Sequence, residues 1–290
     1  MNKAELTINI KATLGEGPCW HNGKLYWIDI LGGKIHIHDP EDQSNRSFDV
    51  GEKIGTIAPR HSGGMIIALE NSYAFFDEAT GKIDKFLPME ADLPLNRFND
   101  GKCSPEGRFW CGSMEHAEQT QKGSLYVLHP DHSVETQREG VLVSNGMAWT
   151  EDGKTMYYTD SGTRRVDAYD YDPENGKISN MRTVIQLGEG DGFPDGMTID
   201  LEGMIWLAQW GAWCVCRYNP STGERLMKVD VPAAHSSACT FGGANLDTLY
   251  ITTARARISE EELSGRQSDA GCVFSFKTDT QGLAAFTFKG

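Results

Sequence analysis

Four short segments of the chain place a side chain that carries a carbonyl or carboxylate oxygen next to a glycine. They are Glu16-Gly17-Pro18, Asn99-Asp100-Gly101, Asn145-Gly146-Met147 and Asp195-Gly196-Met197. Oxygen donors of these types suit Ca²⁺, Mg²⁺ and Mn²⁺, and are compatible with Zn²⁺ or Fe²⁺. A divalent ion held by them could polarise a carbonyl and lower the pKa of a bound water, which is the chemistry of ester hydrolysis. The segments therefore predict an oxygen-rich metal site, provided that the fold brings them together.

A sixfold repeat of short β-rich runs supplies the elements that would position these side chains. The runs are Leu25–Asp29, Met65–Leu69, Phe109–Ser113, Met156–Asp160, Ile205–Gln209 and Leu249–Thr253. Their central residues are separated by 39, 44, 47, 49 and 44 positions, taking Trp27, Ile66, Trp110, Tyr157, Trp206 and Tyr250 as markers. This spacing is close to that of four-stranded propeller blades.

Each run is followed by a second strand-like segment that ends in turn residues, as in a β-hairpin. Helical periodicity is almost absent, and Ser259 is the one candidate cap of a short helical turn. We therefore predict a single all-β domain over residues 1–290, a six-bladed β-propeller. Residues 6–10 and 283–288 both alternate in polarity, which predicts that the two chain ends close the ring in one blade.

The position of the oxygen-bearing residues relative to the markers distinguishes them from ordinary turns. Asn-Gly and Asp-Gly are common hairpin turns, and Asn22-Gly23 and Asp152-Gly153 are typical examples only a few residues from a marker strand. In contrast, Glu16, Asn99 and Asp195 each precede their marker by eleven residues, and Asn145 precedes Tyr157 by twelve. Equivalent positions of a propeller converge on the channel. The same count reaches Gly55 and Cys239 in the second and sixth repeats, which offer no equivalent oxygen.

Other polar residues are candidates for contacts with a substrate. Arg97 lies two residues before Asn99 and could bind an anionic or hydroxyl-rich molecule, although a surface arginine is the alternative. His235 precedes the sixth repeat and is a candidate for the pocket. His36 and His38 are predicted to be exposed on an outer hairpin. The sequence has no Gly-x-Ser-x-Gly, His-Glu-x-x-His or P-loop motif, so those chemistries have no support.

Composition limits the compartment and the partners. The 290 residues have a net charge of −14, which makes nucleic acid and anionic membranes poor partners. The first ten residues lack the apolar core of a signal peptide. The seven cysteines include no Cys-x-x-Cys pair, and we predict reduced, mostly buried thiols in a cytoplasmic protein. The oligomeric state is not indicated.

Several motifs together resemble the gluconolactonase/regucalcin family, which includes senescence marker protein and luciferin-regenerating enzyme. The resemblance runs nearly end to end and is carried by Leu14–Pro18, Arg97–Lys102, Ser144–Met147, Phe193–Met197, Cys239–Gly243 and Thr252–Arg255. It implies a six-bladed propeller with one divalent cation in the channel, held by Glu16, Asn145 and Asp195. It also implies that Arg97 and Asn99 hold substrate, and that Asp195 is the general base in lactone hydrolysis.

One position departs from the family pattern. The regucalcin branch has an acidic substrate-binding residue in the loop after its Gly-Thr-Met segment, where this chain aligns Ala117. Glu115 or Glu118 could replace it. The chain looks more like the bacterial sugar-lactonase branch, in which gluconolactone, xylonolactone, arabinolactone and related lactones are all used.

These observations lead to the hypothesis of a metal-dependent lactonase that opens a sugar-acid lactone to its aldonate. Either Asp195 or a metal-bound hydroxide would act as the base, and the sequence does not separate the two. A non-enzymatic propeller that binds a divalent cation is one alternative. An arylesterase-like hydrolase is another, which Trp210 and Trp213 near the predicted channel mouth would suit.

Overall fold

Six four-stranded antiparallel sheets make up the computed structural model, which describes residues 2–290. Blade 1 contains β2 (Gly15–His21), β3 (Lys24–Asp29), β4 (Lys34–Asp39) and β5 (Ser44–Asp49). Blade 2 contains β6 (Ile54–Pro59), β7 (Met65–Leu69), β8 (Ser72–Phe76) and β9 (Ile83–Pro88). Blade 3 contains β10 (Asn96–Cys103), β11 (Phe109–Glu115), β12 (Gly123–Leu128) and β13 (Val134–Val141).

The second half of the chain repeats this arrangement. Blade 4 contains β14 (Ser144–Trp149), β15 (Thr155–Asp160), β16 (Arg165–Asp172) and β17 (Lys177–Gln186). Blade 5 contains β18 (Phe193–Ile199), β19 (Ile205–Trp210), β20 (Cys214–Tyr218) and β21 (Arg225–Asp230). Blade 6 contains β22 (Ser236–Gly242), β23 (Thr248–Thr253), β24 (Val273–Lys277) and β1 (Glu5–Ile8).

The first strands of the blades form the wall of the central channel. Each of them contacts the first strand of both neighbouring blades, in the closed order β2, β6, β10, β14, β18, β22 and back to β2. The six repeated runs of the sequence are the second strands of the blades. The prediction of an all-β, six-bladed propeller is thus confirmed.

The hydrophobic core lies between adjacent blades. Every residue of β6, β11 and β14 is buried, whereas the outermost strand β5 is mostly exposed. The inner strands are buried on both faces because neighbouring blades cover them. The marker residue Trp206 is fully buried and meets Phe241 of the next blade edge-on, with ring centroids 5.7 Å apart. Burial of such large rings is the main favourable term that holds the blades together.

The two chain ends do not close the ring in the way that their alternation predicts. The N-terminal strand β1 pairs with β24 as the outer strand of blade 6, with Leu6 opposite Phe274. Residues 283–288 are not part of that blade. They run to blade 2, where the Phe288 N–H donates to the Pro59 carbonyl at 2.8 Å and the ring is fully buried. An alternating segment can cover the channel as well as extend a sheet, and here residues 283–286 line a cavity inside the channel.

The prediction for His36 and His38 is also wrong, because both side chains are buried. Their strand β4 is covered on both faces by neighbouring structure. The His36 ring stacks on Trp27 at a centroid distance of 4.2 Å, and its Nδ1 contacts Ser47 Oγ at 2.7 Å. All seven cysteines are buried free thiols, as expected from the sequence.

A short α-helix, α1 (Glu260–Ser264), follows β23, and the Ser259 side chain caps it by accepting from the Glu262 N–H. A single 3-10 turn, Ser161–Thr163, follows β15. No helix within residues 2–290 is long and apolar enough to cross a membrane.

Candidate functional site

Irregular pairing in the inner strands brings the site residues to the channel axis. Each inner strand has a register shift against the second strand of its blade, and the shifts occur at the level of Glu16, Gly55, Asn99, Asn145, Asp195 and Ser237. Such bulges re-aim side chains that a regular strand would direct elsewhere. The repeated oxygen–glycine segments are therefore bulges of the channel wall, which explains why they all lie eleven or twelve residues before their markers.

The sixth blade corrects the count made from sequence. Its bulge lies at Ser237, not at Cys239, because the marker Tyr250 pairs with Thr240, two residue pairs away from the turn. In blade 5, whose turn has the same length, the marker Trp206 pairs with Thr198, only one pair away from the turn. The Ser237 hydroxyl donates to the Gly15 carbonyl at 2.5 Å. Cys239 packs in the core between blades.

Glycine is required where the inner strands approach each other most closely. A Cβ atom on Gly146 would overlap the Asp195 carbonyl oxygen and lie 2.8 Å from the Met197 nitrogen. Both neighbours are backbone atoms and cannot move aside easily. Gly17 has a φ of +52°, a conformation that L side chains rarely adopt. The glycines thus let two segments with site residues bend and pack at one level.

The side chains meet in a cavity of about 290 Å³ on the side of the bulges where the inner strands begin. This is near the lower end of the range for small-molecule sites, roughly 300–1,000 Å³. It is lined by five residues that lie in or beside the predicted oxygen–glycine segments, namely Glu16, Arg97, Asn99, Asn145 and Asp195. Each of these five is at most 6% exposed. They come from blades 1, 3, 4 and 5, so the cavity is assembled around the axis.

A directed chain of hydrogen bonds orients the two asparagines. Arg97 Nη1 donates to Asn99 Oδ1 at 2.6 Å, and Asn99 Nδ2 donates to the Ser144 carbonyl at 2.7 Å and to Asn145 Oδ1 at 3.1 Å. Asn145 Nδ2 donates to Ser161 Oγ at 2.9 Å. Because an amide oxygen can accept two hydrogen bonds, Asn145 Oδ1 keeps capacity for one more contact. The network fixes which end of Asn145 is an oxygen donor.

The acids of the cavity are destabilised as anions. Burial raises the pKa of Glu16 to about 8, and the charge of Asp100 adds to the rise. The pKa of Asp195 is raised well above its ordinary value by burial and then by the charges of Glu16 and Asp100. Burial lowers the pKa of Arg97 to about 10, so that it remains a cation at neutral pH. The pKa values of Glu16 and Asp195 thus stay raised although the positive charge of Arg97 is near.

These residues fit a divalent cation. Asp195 Oδ1 is buried and has no hydrogen-bond partner among the described residues, and an unpartnered buried carboxylate is costly unless a positive charge is near. Within residues 2–290 no three His, Cys, Asp or Glu side chains are grouped to hold a metal. The available donor set is instead two carboxylates and one amide oxygen, from Glu16, Asp195 and Asn145, which suits an ion that prefers oxygen.

Two residues considered for substrate contacts, Glu115 and His235, lie behind the cavity and do not line it. The Glu115 carboxylate accepts hydrogen bonds from the backbone N–H groups of Gln119 and Thr120 at 3.2 and 3.0 Å, and so braces the loop around Glu118. The His235 ring stacks on Trp210 at a centroid distance of 4.0 Å, and its Nδ1–H donates to the Ala256 carbonyl at 3.0 Å. It is Trp210 that lines the cavity.

The structure adds residues that sequence spacing did not reveal. His116, Ser161 and Arg257 line the cavity, as does Glu118, the alternative to Glu115. His116 Nε2 lies 2.9 Å from Glu70 Oε1, which also binds Lys53 Nζ at 2.7 Å. His116, Glu118 and Arg257 lie on loops of the rim, outside the repeated strands, so the blade register says nothing about them. Arg257 could have been noticed only from its place two residues after the Thr252–Arg255 motif.

A second, smaller cavity of about 70 Å³ lies further along the inner strands. Residues 283–286 cover it, and Asp100 and Lys102 are among its lining residues. Lys102 Nζ donates to the Met197 carbonyl at 2.7 Å.

Comparison with known proteins shows the family of this chain. The model of the family described as SMP-30/Gluconolactonase/LRE-like region matches residues 14–255. The chain belongs to this family. All five cavity residues found from the sequence lie inside the matched region of this SMP-30/gluconolactonase member, and Arg257 lies just beyond it.

Curated relatives match this chain over nearly its whole length. It is 37% identical over 292 residues to a Bacillus subtilis (strain 168) protein named "Putative sugar lactone lactonase YvrE", covering 99% of each chain. It is 36% identical over 296 residues to regucalcin of Xenopus laevis, again covering 99% of each. Among solved structures, a calcium-binding protein, regucalcin from Agrobacterium tumefaciens, superposes with a TM-score of 0.94 at 25% identity, covering 100% of this chain and 98% of the other.

Proposed function

We propose that the protein is a metal-dependent lactonase that hydrolyses a sugar-acid lactone to the aldonate. The observation that carries the proposal is the convergence of Glu16, Asn145 and Asp195 with Arg97 in one small cavity, with an oxygen of Asp195 that has no hydrogen-bond partner within residues 2–290. The name of the Bacillus subtilis relative points to the same substrate class.

The metal would be held by the carboxylates of Glu16 and Asp195 and by the amide oxygen of Asn145. A divalent ion bound there would act as a Lewis acid toward the lactone carbonyl. Asn99 contributes indirectly, since both ends of its amide are engaged by Arg97, Ser144 and Asn145. It is a positioning residue that keeps the Asn145 oxygen available.

Asp195 is the proposed general base. It would accept the proton of the water that attacks the lactone carbon, because its carboxylate lies in the same cavity as the other proposed donors to the ion. The Arg97 guanidinium uses Nη1 for its bonds to Asn99 and to the Phe98 carbonyl, which leaves its other N–H groups to bind the substrate. Arg97 would orient oxygen atoms of the lactone next to the acids.

The rim is mixed in character. Trp210, Phe193 and Leu31 contribute apolar surface, while Glu118 and Arg257 contribute charges. Trp213 does not line the cavity and instead packs under the Arg266 guanidinium at 4.5 Å. Charged groups at the mouth favour a hydroxyl-rich substrate over the apolar ester of an arylesterase.

The test is initial-rate hydrolysis of gluconolactone, xylonolactone and arabinolactone by chelator-treated protein, with single divalent ions added back and acid release followed by a pH indicator. We expect one or more ions to restore turnover. The same assay on Asp195→Asn should show no turnover above the spontaneous rate with any ion. Asp170→Asn is its matched control, because Asp170 is an exposed acid on blade 4 that pairs with Arg182 at 2.7 Å.

Two results would contradict the proposal. Hydrolysis at only the spontaneous rate with every ion would remove the lactonase function. If calorimetry still showed tight binding of an ion, a cation-binding role without catalysis would replace it.

A further inference from the structure

The proposed reaction must release one proton from the cavity in every turnover. Hydrolysis adds a water molecule across the ester C–O bond of the lactone ring. The oxygen of the water stays on the carbonyl carbon, and one of its hydrogens ends on the ring oxygen, which becomes a hydroxyl group. The new carboxylic acid has an ordinary pKa of about 4 and is ionised at neutral pH, so the second hydrogen leaves as a proton.

The acids at the centre of the cavity offer no route to solvent for this proton. Asp195, the proposed base, is only 5% exposed, and so is Glu16. A lactone bound in the cavity would cover both of them further. The reaction therefore requires a titratable group that reaches the cavity and the solvent at the same time.

His116 occupies such a position. It lines the same cavity as Asp195, yet its side chain is 30% exposed, and the side chain of its partner Glu70 is 31% exposed. His116 directly follows β11 of blade 3, and Glu70 lies between β7 and β8 of blade 2. The other two charged residues of the rim, Glu118 and Arg257, bind each other. The imidazole of His116 is thus the neutral titratable group between the cavity and the surface.

Backbone hydrogen bonds attach both members of this pair to the channel wall. The His116 N–H donates to the Leu95 carbonyl at 2.9 Å, and the Phe98 N–H donates to the Glu70 carbonyl at 3.0 Å. Leu95 directly precedes β10, and Phe98 lies within it. The pair is therefore fixed to the strand that also carries Arg97.

The contact with Glu70 gives the two ring nitrogens different roles. Nε2 of His116 lies 2.9 Å from Glu70 Oε1. Burial alone would raise the pKa of Glu70, but its hydrogen bond with Lys53 and the charges of Lys53 and His116 bring that pKa below its ordinary value. The carboxylate is thus ionised and can only accept, so Nε2 carries the hydrogen of the neutral ring. Nδ1 then has a lone pair that can take up a proton.

The charges around the ring keep it ready to accept. Burial lowers the pKa of His116, and the charges of Lys53 and Arg97 lower it further, against the opposing effect of Glu70. Lys53 Nζ lies 3.4 Å from Nε2 of the ring. His116 is therefore neutral at pH 7 and returns quickly to the neutral form after it has been protonated.

We propose that His116, oriented by Glu70, carries the proton released in lactone hydrolysis from the cavity to solvent. This inference rests on the proposed lactonase function. The ring accepts the proton on Nδ1 while the Nε2–H stays with Glu70, and the imidazolium then gives up one proton to water or to a buffer base. No bond of the lactone forms or breaks in this step. His116 is a proton-transfer residue, and Glu70 is a positioning residue.

The experiment follows gluconolactone hydrolysis by His116→Gln and Glu70→Gln in weakly buffered solution, with and without added imidazole. Glutamine keeps an N–H donor for Glu70 but cannot take up a proton. We expect the kcat of His116→Gln to fall about tenfold with an unchanged KM, which is less than the roughly hundredfold or larger contribution of a general base itself. Glu70→Gln should lose less, because its imidazole is still present. His61→Gln is the matched control, since His61 is an exposed histidine between β6 and β7.

An NMR titration of the His116 ring adds a measurement that needs neither turnover nor a bound ion. The ring should carry its hydrogen on Nε2 in the wild-type protein. The pKa of His116 should be lower in Glu70→Gln, because the carboxylate that favours the imidazolium is gone. An unchanged pKa would remove Glu70 from the positioning role.

The response to imidazole separates proton transfer from a structural role. If His116 carries the proton, free imidazole restores the kcat of His116→Gln toward that of the wild type and leaves the wild type and His61→Gln unchanged. An unchanged kcat of His116→Gln in weak buffer, or a loss that imidazole does not restore, would overturn the role of His116 and leave the lactonase function standing. A wild-type protein that hydrolyses no lactone would remove the proposed function as well.

Discussion

Buried acids in two regions of the propeller have very different surroundings. At the blade corners, where β3 and β15 end, Asp29 and Asp160 each accept three backbone hydrogen bonds of 2.8–3.2 Å from loops beside them. At the channel axis, Glu16 accepts one such bond, from Gly17, and Asp195 Oδ1 accepts none from the part of the chain that the structure describes. All four are nearly inaccessible to solvent. Burial alone therefore does not identify the chemically active acids.

The difference lies in what remains for a ligand to satisfy. The corner acids hold the loops that lead into β2 and β14, and their oxygen atoms are occupied by the protein itself. The axial acids are held in place by bulged strands, and their raised pKa values show that the protein does not compensate their charge. Corner acids stabilise the fold, whereas axial acids are available to an ion or a proton.

The largest expected effect is on turnover by Asp195→Asn. Loss of the proposed base should lower kcat by about 10³-fold, within the range for general base catalysis. The free energy of unfolding of the metal-free variant should stay the same or rise, because one buried negative charge is removed. Steady-state kinetics and urea unfolding measure the two quantities. A rate near that of the wild type would remove Asp195 from the catalytic role.

Asp160→Ala should lower the free energy of unfolding and leave the chemistry of turnover unchanged, the opposite of Asp195→Asn. Three backbone N–H groups would lose their acceptor, and the free energy of unfolding should fall by about 3 kcal/mol. Urea unfolding measures this loss, and Asp170→Asn is again the exposed control. If Asp160→Ala abolished turnover without lowering stability, the distinction between corner and axial acids would be broken.

The pH dependence of stability separates the regions further. The pKa of Glu16 is raised to about 8 in the folded protein and is near 4.5 when unfolded, so the folded state binds the proton more tightly. Its stabilisation is complete below pH 4.5 and is lost as the pH rises toward 8. The metal-free protein should therefore become less stable over this interval.

Thermal unfolding between pH 5 and 8, with chelator or with added Ca²⁺, measures this effect. Glu16→Gln should flatten the curve of the metal-free protein. A slope that is unchanged by Glu16→Gln would show that Glu16 is not the group responsible.

The smallest expected effect concerns the close packing at the axis. Gly146→Ala should destabilise the protein by about 2 kcal/mol, because its Cβ would overlap backbone atoms of β18. Gly188→Ala is the matched control, since the only atom near its Cβ is an oxygen of the Asp191 side chain at 3.3 Å. Equal unfolding free energies for the two variants, by urea titration, would show that the strands can move apart at the axis.

Much of the fold and of the cavity could be predicted because blades are local structures. The marker runs and their offset of eleven or twelve residues to Glu16, Asn99, Asn145 and Asp195 depend only on strand and turn lengths within one repeat. The count was wrong in blade 6, where the marker lies one residue pair further from its turn than in blade 5, so that the bulge falls at Ser237 and not at Cys239. Glu115 and His235 were predicted as substrate contacts, and each lies next to a residue that lines the cavity without lining it itself. The sequence could not show that Glu115 braces a loop and that His235 stacks on Trp210.

The sequence by itself determined the number of blades, the strand that forms the channel wall and the side chains that its bulges carry, since repeat length and alternation express local backbone geometry. Only the tertiary structure decided which groups meet across the ring. The pairing of Glu118 with Arg257, the placement of residues 283–286 inside the channel and the absence of a partner for Asp195 Oδ1 in the described chain depend on how six blades close around an axis. The distance between two side chains on different blades depends on the twist and tilt of all the blades between them. A local sequence pattern does not contain that information.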